Sequence, residues 1–175
     1  MRLALAVCLT ASICFASPWD IEPPPRGQWV LDRTGKVQRS TLPQLNRIAE
    51  ALDSSGAGQL GVLITDTTSG TNPRDFATGV FNNWGVGHQG SNDGILLFIA
   101  VNDRKAEIIL GDGSKVSSGS TDAVMRNDVV ANMKRGDLDA ALLDAARALD
   151  DLMRRAAGKA PAPSPADNTG LGPDA

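Results

Sequence analysis

The chain has 175 residues, of which 42% are hydrophobic, and it carries a formal net charge of −3 with a single histidine. A chain of this length can bury one core of ordinary size, so we expect one domain. Aromatic residues make up only 4% and the basic residues are scattered, which excludes the basic, aromatic-rich surface that nucleic acid requires.

The first residues have the pattern of a secretory signal peptide. Arg2 supplies a positive charge, Leu3 to Phe15 is apolar, and Cys14-Phe15-Ala16 predicts cleavage near Ala16, with a periplasmic or secreted product. An uncleaved anchor is the alternative, but an apolar run of about 13 residues is shorter than the roughly 20 that a spanning helix needs. Both cysteines, Cys8 and Cys14, lie in this segment without the small preceding residue of a lipid-attachment site. We therefore expect a mature chain without thiol, disulfide or lipid.

Proline-rich segments flank the region of regular periodicity. Residues 17–28, which follow the signal, predict an extended arm because prolines exclude regular helix and central strand. Residues 158–175 are rich in Pro, Ala and Gly with almost no large apolar side chain, which predicts a disordered tail and no second membrane segment. The domain is therefore expected between these ends, over residues 29–157.

Strand and helix patterns alternate in the first part of that domain. A short strand, WVLD, ends at Asp32, and a helix begins at Thr41 and ends at SSGAG. A buried strand, QLGVLITD, closes at Asp66. Pro73 suits the first position of the next helix, whose residues Phe76, Ala77, Val80, Phe81 and Trp84 share one face and are interpreted as core.

The second part contains two strands and two helices. GILLFIAV and AEIIL are separated by NDRK, so an antiparallel hairpin is the simplest pairing. TDAVMRNDVVANMK is predicted to be helical, and Asp137 is a suitable N-cap for a strongly amphipathic last helix. The order β-α-β-α-β-β-α-α predicts an α/β fold: a small mixed sheet of about four strands, the first three parallel, covered by helices on both faces.

Short acidic and amide side chains stand where strands end. Four of these residues, Asp32, Asp66, Asn102 and Asp103, end or follow strands at the edge where α/β sheets bind ligands, and Asn92 and Asp93 precede the third strand. Such oxygens suit a hard divalent cation such as calcium or magnesium. Asn92-Asp93 and Asn102-Asp103 lie at opposite ends of one strand, so a single ion cannot easily contact both pairs. The alternative is that each residue forms a turn by bonding its own backbone.

The glycine-rich loop GVGHQGSNDG carries further candidates. It follows a helix and precedes a strand, the reverse of phosphate-binding loops, so we expect no nucleotide and interpret Gly85 and Gly87 as a helix cap and loop. His88 lies near Ser91 and Asp93, but no GxSxG elbow accompanies it, and we expect a solvent-exposed loop histidine. Arg104 is expected to pair with a carboxylate and hold the hairpin, or to meet an anionic ligand.

These motifs together resemble the TPM domain family. The resemblance rests on a helix ending in Phe and Trp-Gly-x-Gly, the Asn-x-Gly-type loop, the apolar strand, Asn102-Asp103-Arg104, a second strand and Gly-x-Gly, with flanking matches from Trp29 to Leu152. It implies an exported or membrane-tethered α/β sandwich. Some members are described as acid phosphatases, and some bind a divalent metal, usually calcium, in an acidic depression. By position, the implied site residues are Asp32, Asn92-Asp93 and the Asn102-Asp103-Arg104 motif.

The sequence departs from the family pattern in several places. Asp112 replaces the usual aromatic residue, Ser114-Lys115 stands where Leu-Glu is common, and a Pro/Ala tail follows in place of a membrane helix. Three hypotheses follow from the residues and the resemblance. The first is a divalent-cation-binding module that acts through an envelope or membrane protein partner. The second is a metal-assisted acid phosphatase, and the third is a structural envelope protein without a ligand.

Overall fold

The computed structural model describes residues 17–161, so the predicted signal with its two cysteines and most of the predicted tail, residues 162–175, lie outside it. The strands are β1 (Val30–Asp32), β2 (Gln59–Thr65), β3 (Gly94–Ala100) and β4 (Lys105–Leu110). The helices are α1 (Thr41–Ser54), α2 (Pro73–Trp84), α3 (Ser118–Val124), a π-helical segment (Met125–Val130), α4 (Ala131–Lys134) and α5 (Leu138–Ala156). In this part of the chain no helix is both long and apolar enough to cross a membrane.

The four strands form one mixed sheet in the order β1-β2-β3-β4. β1 pairs parallel with β2 and β2 parallel with β3, whereas β4 returns antiparallel along β3. The parallel pairs follow from the helical crossovers α1 and α2. Both the parallel arrangement of the first three strands and the hairpin are as predicted, and strand ends shift by a residue at most.

The sheet is apolar on both faces, so helices cover both. One face packs against α1, α5 and the π-helical segment, and this larger core contains Leu45, Ile64, Leu97 and Leu149. The other face packs against α2, where Phe76 and Phe98 lie with ring centroids 5.2 Å apart. All seven residues of β3 are buried, which explains why its sequence shows a continuous apolar run rather than an alternating pattern.

The predicted helix over TDAVMRNDVVANMK begins three residues earlier, at Ser118, and changes its winding in the middle. Ser117 caps it through a bond from the Ser120 N–H to its side chain. Residues Met125–Val130 adopt π-helical geometry, and the Asn132 side-chain amide donates to the Asp128 carbonyl at 2.7 Å. Local π-helical turns of this kind are frequent at functional sites.

The proline-rich arm packs on the domain through two residues. The carbonyl of Ile21 accepts bonds from the Trp84 indole at 2.8 Å and the Asn83 side chain at 3.0 Å. The ring of Trp19 lies over Gly79, where any Cβ would collide with it. Ile21 is buried in the same core cluster as Phe76 of α2, so the arm packs against that helix and contributes to the core.

Candidate functional site

The predicted site residues lie at two opposite edges of the sheet. Asp32, Asp66, Asn102 and Asp103 stand at the carboxyl edge, just after or at the ends of the adjacent strands β1, β2 and β3. Asn92 and Asp93 stand at the amino edge, before β3. A seven-residue strand separates these edges by about 20 Å, so no single ion can contact both groups.

At the carboxyl edge a lysine joins two of the strand ends. The Lys36 ammonium donates to Asp66 Oδ1 at 2.7 Å and to Asn102 Oδ1 at 2.8 Å. The backbone supports this arrangement, because the Asn102 N–H donates to the Asp66 carbonyl at 2.8 Å and holds the two strand ends together. The side chains of Lys36 and Asp66 are 42% and 44% exposed, so the ammonium occupies an oxygen-lined position that is open to solvent.

Asp32 and Asp103 at the same edge stabilise loops. Asp32 Oδ1 accepts from the N–H and the hydroxyl of Thr34, and its Oδ2 accepts from the Val37 N–H at 3.3 Å. Asp103 Oδ2 accepts from the Thr68 N–H at 2.7 Å and from the hydroxyls of Thr67 and Thr68. The Thr68 backbone bond is the main reason that the pKa of Asp103 is lowered. Asp32 therefore has the local turn geometry that the sequence left as the alternative interpretation, whereas Asp103 bonds a different loop, the one that follows β2.

At the amino edge a histidine lies between two carboxylates. His88 Nδ1 is 3.0 Å from Asp93 Oδ2, and its Nε2 is 3.0 Å from Asp53 Oδ1 at the end of α1. The His88 backbone N–H also donates to Asp93 at 2.8 Å. The Gln59 amide donates to Asp53 and accepts from the Gly87 N–H, so it connects α1 to the same loop. We call Asp53, His88 and Asp93 the histidine clasp.

The clasp favours the doubly protonated imidazole. Both ring nitrogens face carboxylates, and only the imidazolium can donate from both at once. The hydrogen bond to Asp93 is the largest reason that the pKa of His88 is raised above 6.5. Burial raises the pKa of Asp93, but its bonds from His88 outweigh that effect, so the pKa of Asp93 is lowered. The sequence predicted a solvent-exposed loop histidine; the side chain lies in that loop and is 37% exposed, but both ring nitrogens are held by carboxylates, which the sequence did not predict.

Close backbone contacts fix the loop that carries the clasp. Gly85 ends α2 with φ 62°, as the cap interpretation predicted, and Gly87 has φ 117°. Asn92 adopts φ 49°, and its carbonyl accepts from the Gly113 N–H at 3.0 Å. A Cβ on Gly113 would collide with the Ser91 carbonyl oxygen. The glycines therefore let two loops approach at this edge.

Arg104 differs from its predicted structural role. Among residues 17–161 it forms no ion pair with a carboxylate, and the hairpin is held by other contacts. Its backbone has φ 54° at the turn between β3 and β4, and its exposed side chain lines a groove beside the π-helical segment. Sequence reasoning also missed Lys36 and Asp53, because each reaches its partners through the fold from far along the chain.

The carboxyl edge fits a hard cation only in part. Its donors are carboxylate and amide oxygens, which suit calcium or magnesium, and they already surround one positive charge. Within residues 17–161, however, no three His, Cys, Asp or Glu side chains form a ready metal cage. A metal there would be held by Asp66 and Asn102 after Lys36 leaves, with water completing the coordination.

Comparisons with known proteins agree with this architecture. A family model described as the TPM domain matches residues 30–152, so the chain belongs to the TPM domain family. The N-terminal domain of a protein from P. gingivalis is similar in structure, with TM-score 0.73, 19% identity, and 82% of this chain and 95% of that chain covered. No protein of curated function matches the sequence.

Two further solved structures show the same fold. The N-terminal domain of the cg2496 protein from Corynebacterium glutamicum aligns with TM-score 0.60 and 14% identity, over 82% of this chain and 88% of that chain. The BA42 protein from the psychrophilic bacterium Bizionia argentinensis aligns with TM-score 0.56 and 20% identity, over 71% and 86%. At such low identity the likeness establishes the fold alone.

Proposed function

We propose that this protein is an exported TPM-domain binding module that takes up a divalent cation, calcium first, at the carboxyl edge and acts through an envelope protein partner. The observation that carries the cation proposal is the Lys36 ammonium held between Asp66 and Asn102. Export rests on the signal-like residues 1–16, which lie outside the described residues.

The position of Lys36 supports exchange with a cation. Its side chain is 42% exposed and its ion pair with Asp66 is open to solvent, so breaking that pair costs little, within the range of about 0–1 kcal/mol for surface pairs. Asp66 and Asn102 are held by backbone pairing between their strand ends, so they stay together when the ammonium leaves. The edge therefore offers two positioned side chains to an incoming ion.

The same geometry predicts weak binding. Asp32 and Asp103 are engaged by loop donors, which leaves few protein oxygens for a cation that takes six to eight. The expected dissociation constant is about 10⁻⁴–10⁻³ M, the range of extracellular calcium modules. A module of this affinity responds to the calcium concentration outside the cytoplasm rather than holding a permanent structural ion.

Calcium titration by calorimetry and amide NMR tests the proposal. We expect shifts at Lys36, Asp66 and Asn102, loss of binding in Asp66→Asn, and tighter binding in Lys36→Met, which removes the competing ammonium. Asp122→Asn, an exposed carboxylate on α3, is the control and should bind like the parent protein. If about 5 mM calcium, above the expected constant, gives neither heat nor shifts, the cation proposal is wrong and the carboxyl-edge side chains have only structural contacts.

The same variants test the phosphatase alternative. Hydrolysis of a chromogenic phosphate ester that needs calcium and disappears in Asp66→Asn would replace binding by catalysis. Hydrolysis that survives in Asp66→Asn would come from another site or a contaminant. We expect no calcium-dependent hydrolysis, because the side chains that meet at this edge supply no adjacent nucleophile and base.

A further inference from the structure

We propose that the groove between the β3–β4 hairpin and the π-helical segment binds an acidic protein segment that carries apolar side chains. This deepens the partner part of the proposed function by giving the partner a surface and a chemistry. We call it the hairpin groove. Its volume is about 830 Å³, and its lining includes Arg104, Lys105, Met125, Val130, Met133 and Lys134.

Positive charge stands on both walls of the groove. Arg104 and Lys105 stand on the hairpin wall, Lys134 stands on the helical wall, and no carboxylate lines the space between them. Within residues 17–161 none of these three cations forms an ion pair. A concentration of unpaired positive charge on a chain of net charge −3 favours an anionic ligand.

The floor of the groove is apolar. Met125 and Met133 pack against the main core while contributing to the groove lining. Val130, 38% exposed, is the large hydrophobic side chain that the described part of the chain leaves most open to solvent, and it also lines this groove. Methionine side chains adapt their shape to different partners, so this floor suits apolar side chains of varied form.

The distribution of the cations decides what kind of anion fits. Two cations stand on one wall and the third on the other, on separate secondary-structure elements. A segment with carboxylates at several positions can meet both walls while its apolar side chains cover Val130. Residues 162–175 contain Asp167, Leu171 and Asp174, so this segment of the chain itself is a competing occupant that the test must separate.

The first experiment is an amide NMR titration of the purified protein with a blocked peptide in which leucine and aspartate alternate. We expect shifts at Arg104, Val130 and Lys134. Binding should weaken by at least about tenfold in Lys134→Glu and in Val130→Asp, because each places a carboxylate in the groove. Arg126→Glu is the matched control, since Arg126 is exposed on the same helical stretch but does not line the groove.

Several results would overturn the proposal. These are the absence of shifts at about millimolar peptide, equal weakening in Arg126→Glu and Lys134→Glu, and equal affinity for the peptide with asparagine in place of aspartate. If removal of residues 162–175 shifts the groove amides before any peptide is added, the tail is the occupant. Dimerisation that Val130→Asp abolishes would identify a second copy, and tighter binding to phosphatidylglycerol vesicles than to the peptide would identify a membrane surface.

The titration is run with and without calcium so that the two proposals fail separately. Calcium shifts at Asp66 without peptide binding would keep the cation site and reject the groove. Peptide shifts at Val130 and Lys134 without any calcium response would keep the groove and reject the cation site.

Discussion

The two edges of the sheet both carry acidic side chains paired with a basic one, but these side chains differ in how exposed they are and in how firmly their partners hold them. At the carboxyl edge, Lys36 holds Asp66 and Asn102 at the surface, and both members of the ion pair are more than 40% exposed. At the amino edge, the histidine clasp joins the end of α1, which carries Asp53, to the α2–β3 loop, which carries His88 and Asp93, and its side chains are less exposed, at 37% or below. The proposed ligand role therefore depends on whether the partner of an acidic strand end can leave, which the exposed Lys36 pair allows.

The largest expected loss of stability comes from a substitution that forces apart the two loops at the amino edge. Gly113→Ala places a Cβ against the Ser91 carbonyl, and because that atom is backbone, the loop itself must move. We expect the free energy of unfolding to fall by about 2–3 kcal/mol, the upper range for overpacking. Urea unfolding measures this change.

The control for this substitution is another glycine with free space around it. Gly119 lies in α3 with nothing within 4 Å of an added Cβ, so Gly119→Ala should raise stability by about 0.5–1 kcal/mol, the helix-propensity gain. A Gly113→Ala protein as stable as the parent would show that the amino edge is not closely packed.

The next effect separates two aspartates of the carboxyl edge. Asp103→Ala leaves the Thr68 N–H and the Thr67 hydroxyl without this acceptor, while the Thr68 hydroxyl keeps the Thr71 carbonyl; Asp66→Ala removes one exposed ion pair. The urea midpoint should therefore fall clearly in Asp103→Ala and hardly in Asp66→Ala. The pKa of Asp103 is lowered on folding, so its contribution is present above pH 3.8 and is lost as pH falls through the folded value.

Unfolding of Asp103→Ala and of the parent protein across acidic pH checks the predicted direction of the pH dependence. The difference in stability between the two should shrink as the pH is lowered. A difference that stays constant into strong acid would contradict the assigned role of the Asp103 carboxylate.

A smaller effect tests the histidine clasp through pH. Because the pKa of His88 is raised on folding, its stabilisation is full below pH 6.5 and is lost as pH rises through the folded value. Between about pH 5.5 and 8.5 the parent protein should lose about 0.5–1 kcal/mol more than His88→Gln, a figure kept small because the pair is partly solvated. Unfolding curves at both pH values, with an NMR titration of the ring, measure this difference.

Asp53→Asn should give a pKa of His88 between that of the parent protein and that of a free histidine. It removes one of the two carboxylates, so the pKa of His88 should remain raised but by less than in the parent protein. An unchanged pKa in both Asp53→Asn and Asp93→Asn would show that the clasp does not form in solution.

The smallest effect on stability is expected at the proposed cation position. Lys36→Met should change the free energy of unfolding by less than about 0.5 kcal/mol, because the ion pair is exposed. In calcium at about ten times the dissociation constant, the variant should gain about 1.4 kcal/mol from binding to the folded state. Thermal unfolding in calcium and in chelator measures this gain, and an equal melting temperature in both would break the contrast between the edges.

Much of the fold could be predicted because its signals are local. The apolar run of β3, Pro73 at the start of α2 and Asp137 at the start of α5 each mark an element through nearby residues. The change to π-helical winding at Met125 could not be predicted, since helical periodicity hardly differs there. The docking of Trp19 and Ile21 on α2 was equally hidden, because it depends on a packing surface some 60 positions later in the chain.

The candidate site could be predicted only as a set of positions. Asp32, Asp66, Asn102 and Asp103 were placed at one edge because parallel strands end together. Their hydrogen-bond partners could not be predicted, because the donors to Asp103 come from the loop after β2 and the ammonium near Asp66 comes from the loop after β1.

Periodicity and strand order are enough to predict the sheet, its two covered faces and the edge at which each acidic side chain stands, because they are local and topological properties. Which of those side chains accept hydrogen bonds, and from which donors, depends on contacts that form only in the folded protein. Lys36 meets Asn102, 66 positions later in the chain, and His88 meets Asp53, which lies in the last turn of α1. A hydrogen bond needs its two atoms to be about 3 Å apart, whatever their separation in the chain, so the partners are set by the folded structure.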